Sequence, residues 1–377
     1  MQQSKVIKDK IILSPKEIDI HLCPIRQKTG LETHILGAFN PALTRLPNGN
    51  LLLMVRIAES LNEPVKDQKF RMIRWHPVDK YIIEEHSAEH LDTRDPRKFR
   101  FLEHDFVKVY GLTSFSWLLP VEITPDGLSI IRIHYDKIIE PRTSYQEYGI
   151  EDPRITQIGN TYYMTTCSVS SERHSTTLYS SQDGLNYHLE GIILDHQNKD
   201  MVLFPEKING YYMAMTRPMG ELYFSTYRDQ MYLPGPSINL AQSPDLLHWK
   251  PIDSPFLRPR KNSKINLKLG AGAQPILTDR GWLILFHGVE KNGTVGIYRT
   301  FRALLDKERP WIVKDIDICE PLLESNTGLM TDYRDISYLS DVVFTTGIVE
   351  TDDHYIIASG EDDLCCRITH INKKDIF

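Results

Sequence analysis

Ser181-Gln182-Asp183-Gly184-Leu185-Asn186-Tyr187 returns in altered form as Ser243-Pro244-Asp245-Leu246-Leu247-His248-Trp249. The shared pattern is Ser-x-Asp-x-x-x-aromatic, and each copy follows a strand-like run, Thr176 to Ser180 and Ser237 to Gln242. An Asp here can close a turn through its side chain while the aromatic packs between sheets. Outward from this pair, short apolar runs recur at Leu51 to Ile57, Thr161 to Cys167, Tyr211 to Met215, Trp282 to Phe286 and Tyr355 to Ser359. Each follows a turn signal: Asn48-Gly49-Asn50, Gly159-Asn160, Asn209-Gly210, Asp279-Arg280-Gly281 and Asp352-Asp353. Turn plus strand, repeated with little helical periodicity, predicts an all-β chain. Internal repetition points to stacked or radial units. The predicted fold is a five-bladed β-propeller over 35–377, with 1–34 as an N-terminal extension and the basic, Pro-containing stretch Pro255 to Lys268 as a peripheral loop. A two-sheet sandwich with long loops is the alternative.

Composition narrows the function. The chain is 41% hydrophobic and 25% charged, with net charge −6 and no basic block, which argues against a nucleic-acid partner. Its longest apolar runs, such as Leu51 to Val55, are too short to span a bilayer. The lysine-containing start lacks the apolar core of a signal peptide. Five cysteines, two of them adjacent at Cys365-Cys366, read as reduced thiols of a cytoplasmic protein. No HxH or HExxH cluster suggests a metal.

The chemistry-bearing stretch is Gly149-Ile150-Glu151-Asp152-Pro153-Arg154-Ile155-Thr156. A carboxylate beside a guanidinium is held ionised. Pro153 is expected to drive Asp152 toward extended geometry, presenting an acid in a fixed pose. Alone, the motif reads more simply as a salt-bridged turn. Its company is a set of bases at strand ends: Lys199, Arg217, Lys268 and His287. In a propeller such ends converge on the axis, and cations gathered near one acid make an anion clamp suited to phosphate. Taken singly, Lys199 beside Asp200 reads as a solvated pair and His287 as a satisfied semi-buried histidine. Gly270-Ala271-Gly272 lacks the Lys-Ser/Thr ending of a nucleotide loop.

These segments, in order, resemble the inverting β-mannoside phosphorylases of glycoside hydrolase family 130. They are Phe39-Asn40-Pro41-Ala42 with the strand carrying Arg56, GIEDPRIT, NKDMVLFPEKINGYY with the later TRP, KLGAGAQPI with GWLILFHG, Leu304 to Asp306, and DVVFTTG with SGEDD. The resemblance implies a five-bladed propeller and Asp152 as sole catalytic acid. That acid would protonate the glycosidic oxygen through the mannose 3-hydroxyl. Phosphate would attack the anomeric carbon from the opposite face, giving α-mannose 1-phosphate with inversion. This differs from the usual pair of carboxylates flanking a water. By motif, Lys199, Arg217, Lys268 and His287 would hold phosphate, and Asn40, Arg56, Glu151, Arg154 and Asp363 would bind substrate. Inorganic phosphate is then a co-substrate, and no cofactor or metal is implied. Two departures stand out: Ser359-Gly360-Glu361-Asp362-Asp363 replaces the family's Tyr-Gly-Ala-Ala-Asp, and Met215-Thr216 replaces Leu-His before Arg-Pro.

Glu151 before Asp152 resembles members acting on β-1,2-linked manno-oligosaccharides, so these, with phosphate, are the expected partners. Phosphorolysis of β-1,4-mannosides, and hydrolysis by an inverting β-mannosidase, are the alternatives. Hydrolytic relatives lose phosphate-binding cations, and this chain keeps all four positions. A propeller glycosidase of another kind would need a second acid, for which Asp95 and Asp341 are candidates. A non-enzymic carbohydrate-binding propeller would be indifferent to Asp152. A homo-oligomer is compatible with the sequence, which identifies no interface.

Overall fold

The computed structural model describes residues 6–104, 107–220 and 231–376. Among these the only α-helix is Pro24–Thr29, and strands carry the architecture. Five antiparallel meanders follow one another. The first is built from Thr33–Arg45, Leu51–Leu61, Ser114–Ile123 and Ile130–Ile133, and the second from Ile150–Ile158, Thr161–Val169, His174–Ser181 and His188–Leu194. The third comprises Asn198–Leu203, Tyr212–Pro218, Ile238–Ser243 and Lys250–Leu257. The fourth comprises Lys268–Ala271, Gly281–Glu290, Ile297–Leu305 and Val313–Asp317, with Ile276–Thr278 also paired to Gly281–Glu290. In the fifth, Val343–Glu350, His354–Glu361 and Cys365–Asn372 are completed by Val6–Leu13. The five apolar runs of the sequence are the second strands of these sheets, and the five turn signals are the hairpins that lead into them.

Packing between sheets explains the run Leu51 to Val55. Side chains alternate faces along a strand. Leu51, Leu53, Val55 and Ile57 pack with Ile356, Ala358 and Ile368 of the fifth sheet, while Leu52 and Met54 pack with Ile150, Ile155 and Met164 of the second. A strand covered on both faces reads as continuous apolar sequence. Each such fully buried side chain stabilises by about 1.5–3 kcal/mol. The second and third sheets share Leu178, Met201 and Leu203, and the third and fourth share Phe204, Trp282 and Phe286. The fourth and fifth share Leu283, Leu285 and Ile357.

The Ser-x-Asp turn is a true structural repeat. Asp183 Oδ1 accepts from the amides of Leu185 and Asn186 at 2.9 and 2.7 Å, and Asp245 Oδ1 accepts from those of Leu247 and His248 at 3.0 and 2.8 Å. Two degenerate copies follow the third strands of other sheets. Asp126 Oδ1 accepts from the Leu128 amide at 3.1 Å, and Asp306 Oδ1 from the Arg309 amide at 2.9 Å.

Val6–Leu13 lies within the stretch expected as an extension, of which residues 1–5 fall outside the described residues. It pairs with Cys365–Asn372, and Asp9 meets Arg367 at 2.6 Å. Between Leu61 and Ser114 the first sheet carries an insertion of two three-stranded sheets. One is Val65–Lys66, Lys69–His76 and Lys80–Ser87, and the other is Leu91–Asp92, Lys98–Phe101 and Val109–Leu112.

Candidate active site

The first strands of the first three sheets share a kink. Strand register slips between Phe39 and Ala42, between Glu151 and Arg154, and between Lys199 and Val202. At each slip one residue has left-handed backbone: Asn40 at φ 49°, Asp152 at φ 48° and Asp200 at φ 57°. Asn and Asp tolerate this region better than other non-glycine residues. The extended geometry expected for Asp152 is therefore corrected. The extra residue of the bulge, not Pro153, sets its pose and turns the side chain inward. Strain of this kind persists where surrounding structure enforces it, commonly at functional sites.

Three polar groups converge as a result. Asp152 Oδ1 accepts from Asn40 Nδ2 at 2.9 Å and from Arg56 Nη1 at 3.0 Å. Its Oδ2 has no hydrogen-bond partner among the described residues and is not sealed from solvent. Glu151 is fully engaged: Arg56 Nη2 donates to Oε1 and Lys199 Nζ to Oε2, both at 2.8 Å. Asp200 is buried, 3.0 Å from Arg154, 2.8 Å from Arg217 and 3.5 Å from His287 Nε2. Lys199 thus pairs with Glu151, and its sequence neighbour Asp200, read as half of a solvated pair, is the buried hub of the other ion network. The signal for Asp200 lay in the recurrence of a bulge that only strand register reveals.

Electrostatics follow from this pairing. Burial alone would raise the Asp152 carboxyl, but Arg56, Lys199 and Arg154 outweigh it and hold the group well below the usual carboxylate range. Glu151 feels the same opposition of burial against Arg56 and Lys199, and falls to about 2. The guanidinium that matters most is Arg56, not the adjacent Arg154. His287 is pushed down to about 3, chiefly by burial, so its ring is neutral; Arg217 Nη1 donates to its Nε2 at 3.0 Å.

The bases do gather. Lys199 lies within electrostatic reach of Asp152, and Lys268 of His287. Lys268 Nζ sits 5.1 Å from the centre of the Tyr298 ring and has no carboxylate within ion-pair distance among the described residues. His287 lies inside its strand rather than at its end, fully buried, with its ring 4.4 Å from that of Phe344. Arg154, expected to bind substrate, is buried behind Asp152. Only 2% of it is exposed, and its donors go to the Asp152 carbonyl at 2.8 Å, Asp200 Oδ1 at 3.0 Å and the Gly272 carbonyl at 3.3 Å. Asp363 is engaged by Arg97 of the insertion at 3.1 Å. Of the two other acids considered, Asp95 is tied to Arg97 at 3.0 Å and Asp341 is exposed. Among the described residues no group of three His, Cys, Asp or Glu side chains could hold a metal ion.

Gly270 pairs with His287 across the fourth sheet, and a Cβ there would meet Asp200 Oδ2 and stand 2.6 Å from His287 Cε1. Gly270→Ala should therefore cost about 1–3 kcal/mol by overpacking, read as a lowered denaturant midpoint. An unchanged midpoint would mean the network yields freely.

Residues 114–377 match the model of glycoside hydrolase family 130, described as beta-1,4-mannooligosaccharide phosphorylase. The chain is 32% identical over 331 residues to a beta-1,2-mannobiose phosphorylase of Listeria innocua, covering 85% of this chain and 84% of that one. It is 31% identical over 258 residues to a 1,2-beta-oligomannan phosphorylase of Thermoanaerobacter, covering 67% and 78%. The solved Listeria innocua beta-1,2-mannobiose phosphorylase in complex with beta-1,2-mannobiose superposes with a TM-score of 0.81 at 28% identity, covering 98% of each chain. With that extent of match, the chain belongs to glycoside hydrolase family 130.

Proposed function

We propose that this protein is a glycosyltransferase-type phosphorylase that reversibly cleaves β-linked manno-oligosaccharides, β-1,2-linked by preference. Inorganic phosphate is co-substrate, and the products are α-mannose 1-phosphate and a shortened acceptor. One observation carries the reading: Asp152 keeps a single free carboxylate oxygen beside Lys199, while Arg217, Lys268 and His287 collect alongside. The names of the similar Listeria and Thermoanaerobacter enzymes supply the linkage. The glycosidic C1–O bond breaks and a phosphate oxygen bonds C1 on the opposite face. The proton passes from Asp152 through the mannose 3-hydroxyl to the leaving oxygen. No enzymic base is required, because phosphate is itself the nucleophile. Fixed charge in a water-poor pocket favours the developing oxocarbenium and the incoming anion together.

The five meanders are best read as blades of a five-bladed propeller over 35–377, with 1–34 an extension whose strand clasps the last blade. Support comes from the order of packing, each sheet against the next and the fifth against the first. A cytoplasmic location is favoured by five free cysteines.

Incubation with β-1,2-mannobiose and with β-1,4-mannobiose, each with and without phosphate, tests the reading. Sugar phosphate should form from the first substrate and only when phosphate is present. Free mannose released without phosphate would make the protein a mannosidase, and turnover of the 1,4-linked substrate alone would reverse the linkage. Lys268→Ala should raise the KM for phosphate about tenfold or more while leaving the melting temperature close to wild type, since the lysine has no ion-pair partner among the described residues to lose. Early melting with intact phosphate affinity would remove Lys268 from the clamp.

A further inference from the structure

The insertion between Leu61 and Ser114 lies ahead of the family match, which begins at residue 114. Its second small sheet nevertheless reaches the pocket. Arg97 spans from Asp95, at 3.0 Å, to Asp363 of the fifth sheet, at 3.1 Å. Behind it, Thr113 Oγ1 donates to the Pro96 carbonyl at 2.7 Å, and the Lys98 amide to the Asp95 carbonyl at 3.3 Å. Lys98 follows directly. It is half-buried, with Nζ 4.3 Å from the centre of the Tyr110 ring, and no carboxylate lies within ion-pair distance of it among the described residues. Lys199 and Lys268 both lie within its electrostatic reach.

Lys199 and Lys268, each from another sheet, thus lie within electrostatic reach of Lys98, and of the three lysines only Lys199 has an ion-pair partner among the described residues, Glu151. Lys98 and Lys268 are matched in kind, each seated against a tyrosine face with no ion-pair partner among the described residues. Like charges brought together out of water repel unless an anion joins them. Burial, with help from Lys199, Arg97 and Lys268 and against the pull of Asp95, accordingly holds the Lys98 ammonium below its ordinary pKa.

We propose that Lys98 is a fifth member of the anion cradle, carried by the insertion, and that it contacts the phosphate group of inorganic phosphate and of α-mannose 1-phosphate. This rests on the phosphorylase reading above. The Arg97–Asp363 bridge is the latch that sets Lys98 in place, so the insertion supplies a phosphate contact that none of the five main sheets provides.

Steady-state kinetics of the full chain in both directions test this. Lys98→Met retains the aliphatic stem over Tyr110 and removes only the charge. It should raise the KM for phosphate and for α-mannose 1-phosphate by about ten- to a hundredfold, the worth of one hydrogen bond to a charged group. The KM for mannobiose, and for mannose as acceptor, should stay within about twofold, as expected when a contact made to one substrate alone is lost. Lys98→Arg should restore most of the loss. Lys98→Gln serves if the methionine variant does not fold. An unchanged phosphate KM overturns the proposal, as does a rise confined to the sugar acceptor. The upward shift of melting temperature by inorganic phosphate is measured alongside. If wild type shows that shift, loses it in Lys98→Met, and yet turns over no mannoside, the phosphorylase reading fails while the Lys98 contact stands. If wild type is an active phosphorylase and the shift survives in Lys98→Met, only the Lys98 contact fails.

Discussion

Asp152→Asn should fold, bind phosphate, and lose phosphorolysis by about a thousandfold, the usual worth of a positioned acid. The amide can keep its oxygen toward Asn40 and Arg56, so the two contacts that fix the side chain, at 2.9 and 3.0 Å, survive. What disappears is the free Oδ2 as a proton carrier. In the unliganded protein this carboxyl is ionised, because Arg56, Lys199 and Arg154 overcome the effect of burial. It must gain a proton before it can give one. An entering phosphate adds negative charge to the cradle, offsets the same cations and lets the Asp152 pKa rise. Phosphate binding should then take up protons, seen by calorimetry as a binding heat that varies with the ionisation heat of the buffer, and the uptake should vanish in Asp152→Asn. Near-normal turnover in the variant would remove Asp152 as the acid. The partner carboxylate gives a sign for acid stability. Glu151 has a folded pKa lowered to about 2, so its stabilising contribution is complete above the unfolded glutamate value of about 4.3 and fades as pH falls toward 2.

Asp200→Ala should be the most destabilising single change at the site, by about 3–5 kcal/mol, because it leaves buried guanidinium groups without their counter-charge. Arg154 and Arg217 both meet this carboxylate, and Arg154 is 2% exposed and Arg217 6%. Water cannot easily replace the lost partner. Denaturant unfolding would show the loss as a lower midpoint, and a midpoint equal to wild type would rule out the hub role. Asp200→Asn separates stability from positioning. It preserves shape but weakens the hold on Arg217 and its hydrogen bond to His287, so the KM for phosphate should rise at temperatures where the variant remains folded. A KM unmoved in the folded variant would limit Asp200 to a structural role.

Much of this was readable from the chain. The turn signals found one strand in every sheet because the turn chemistry of Asn, Asp and Gly is local, and the flanking runs are apolar on both faces. The Ser-x-Asp turn was visible where the serine and aromatic persist. It was missed at Asp126, where Thr124 replaces the serine, and at Asp306, because the hydrogen-bonding pattern outlives the residue pattern. Asn40-Pro41, Asp152-Pro153 and Asp200-Met201 form a hidden repeat, since the bulges that align them exist only in the pairing register. For the same reason the sequence gives Asp200 no role beyond a solvated neighbour of Lys199, and the buried ties of Arg154 to Asp200 and to the Asp152 carbonyl are not legible in it. Lys98 carried no signal at all: its meaning depends on where an inserted sheet comes to rest.

Among the described residues the strand Val6–Leu13 pairs with Cys365–Asn372, a partner very distant in sequence. During synthesis Val6–Leu13 must wait for this partner until Cys365–Asn372 has left the ribosome. Contacts of such long sequence separation form slowly. The nascent chain thus carries an exposed edge until that strand emerges, and yield in the cell should depend on how well the edge is shielded.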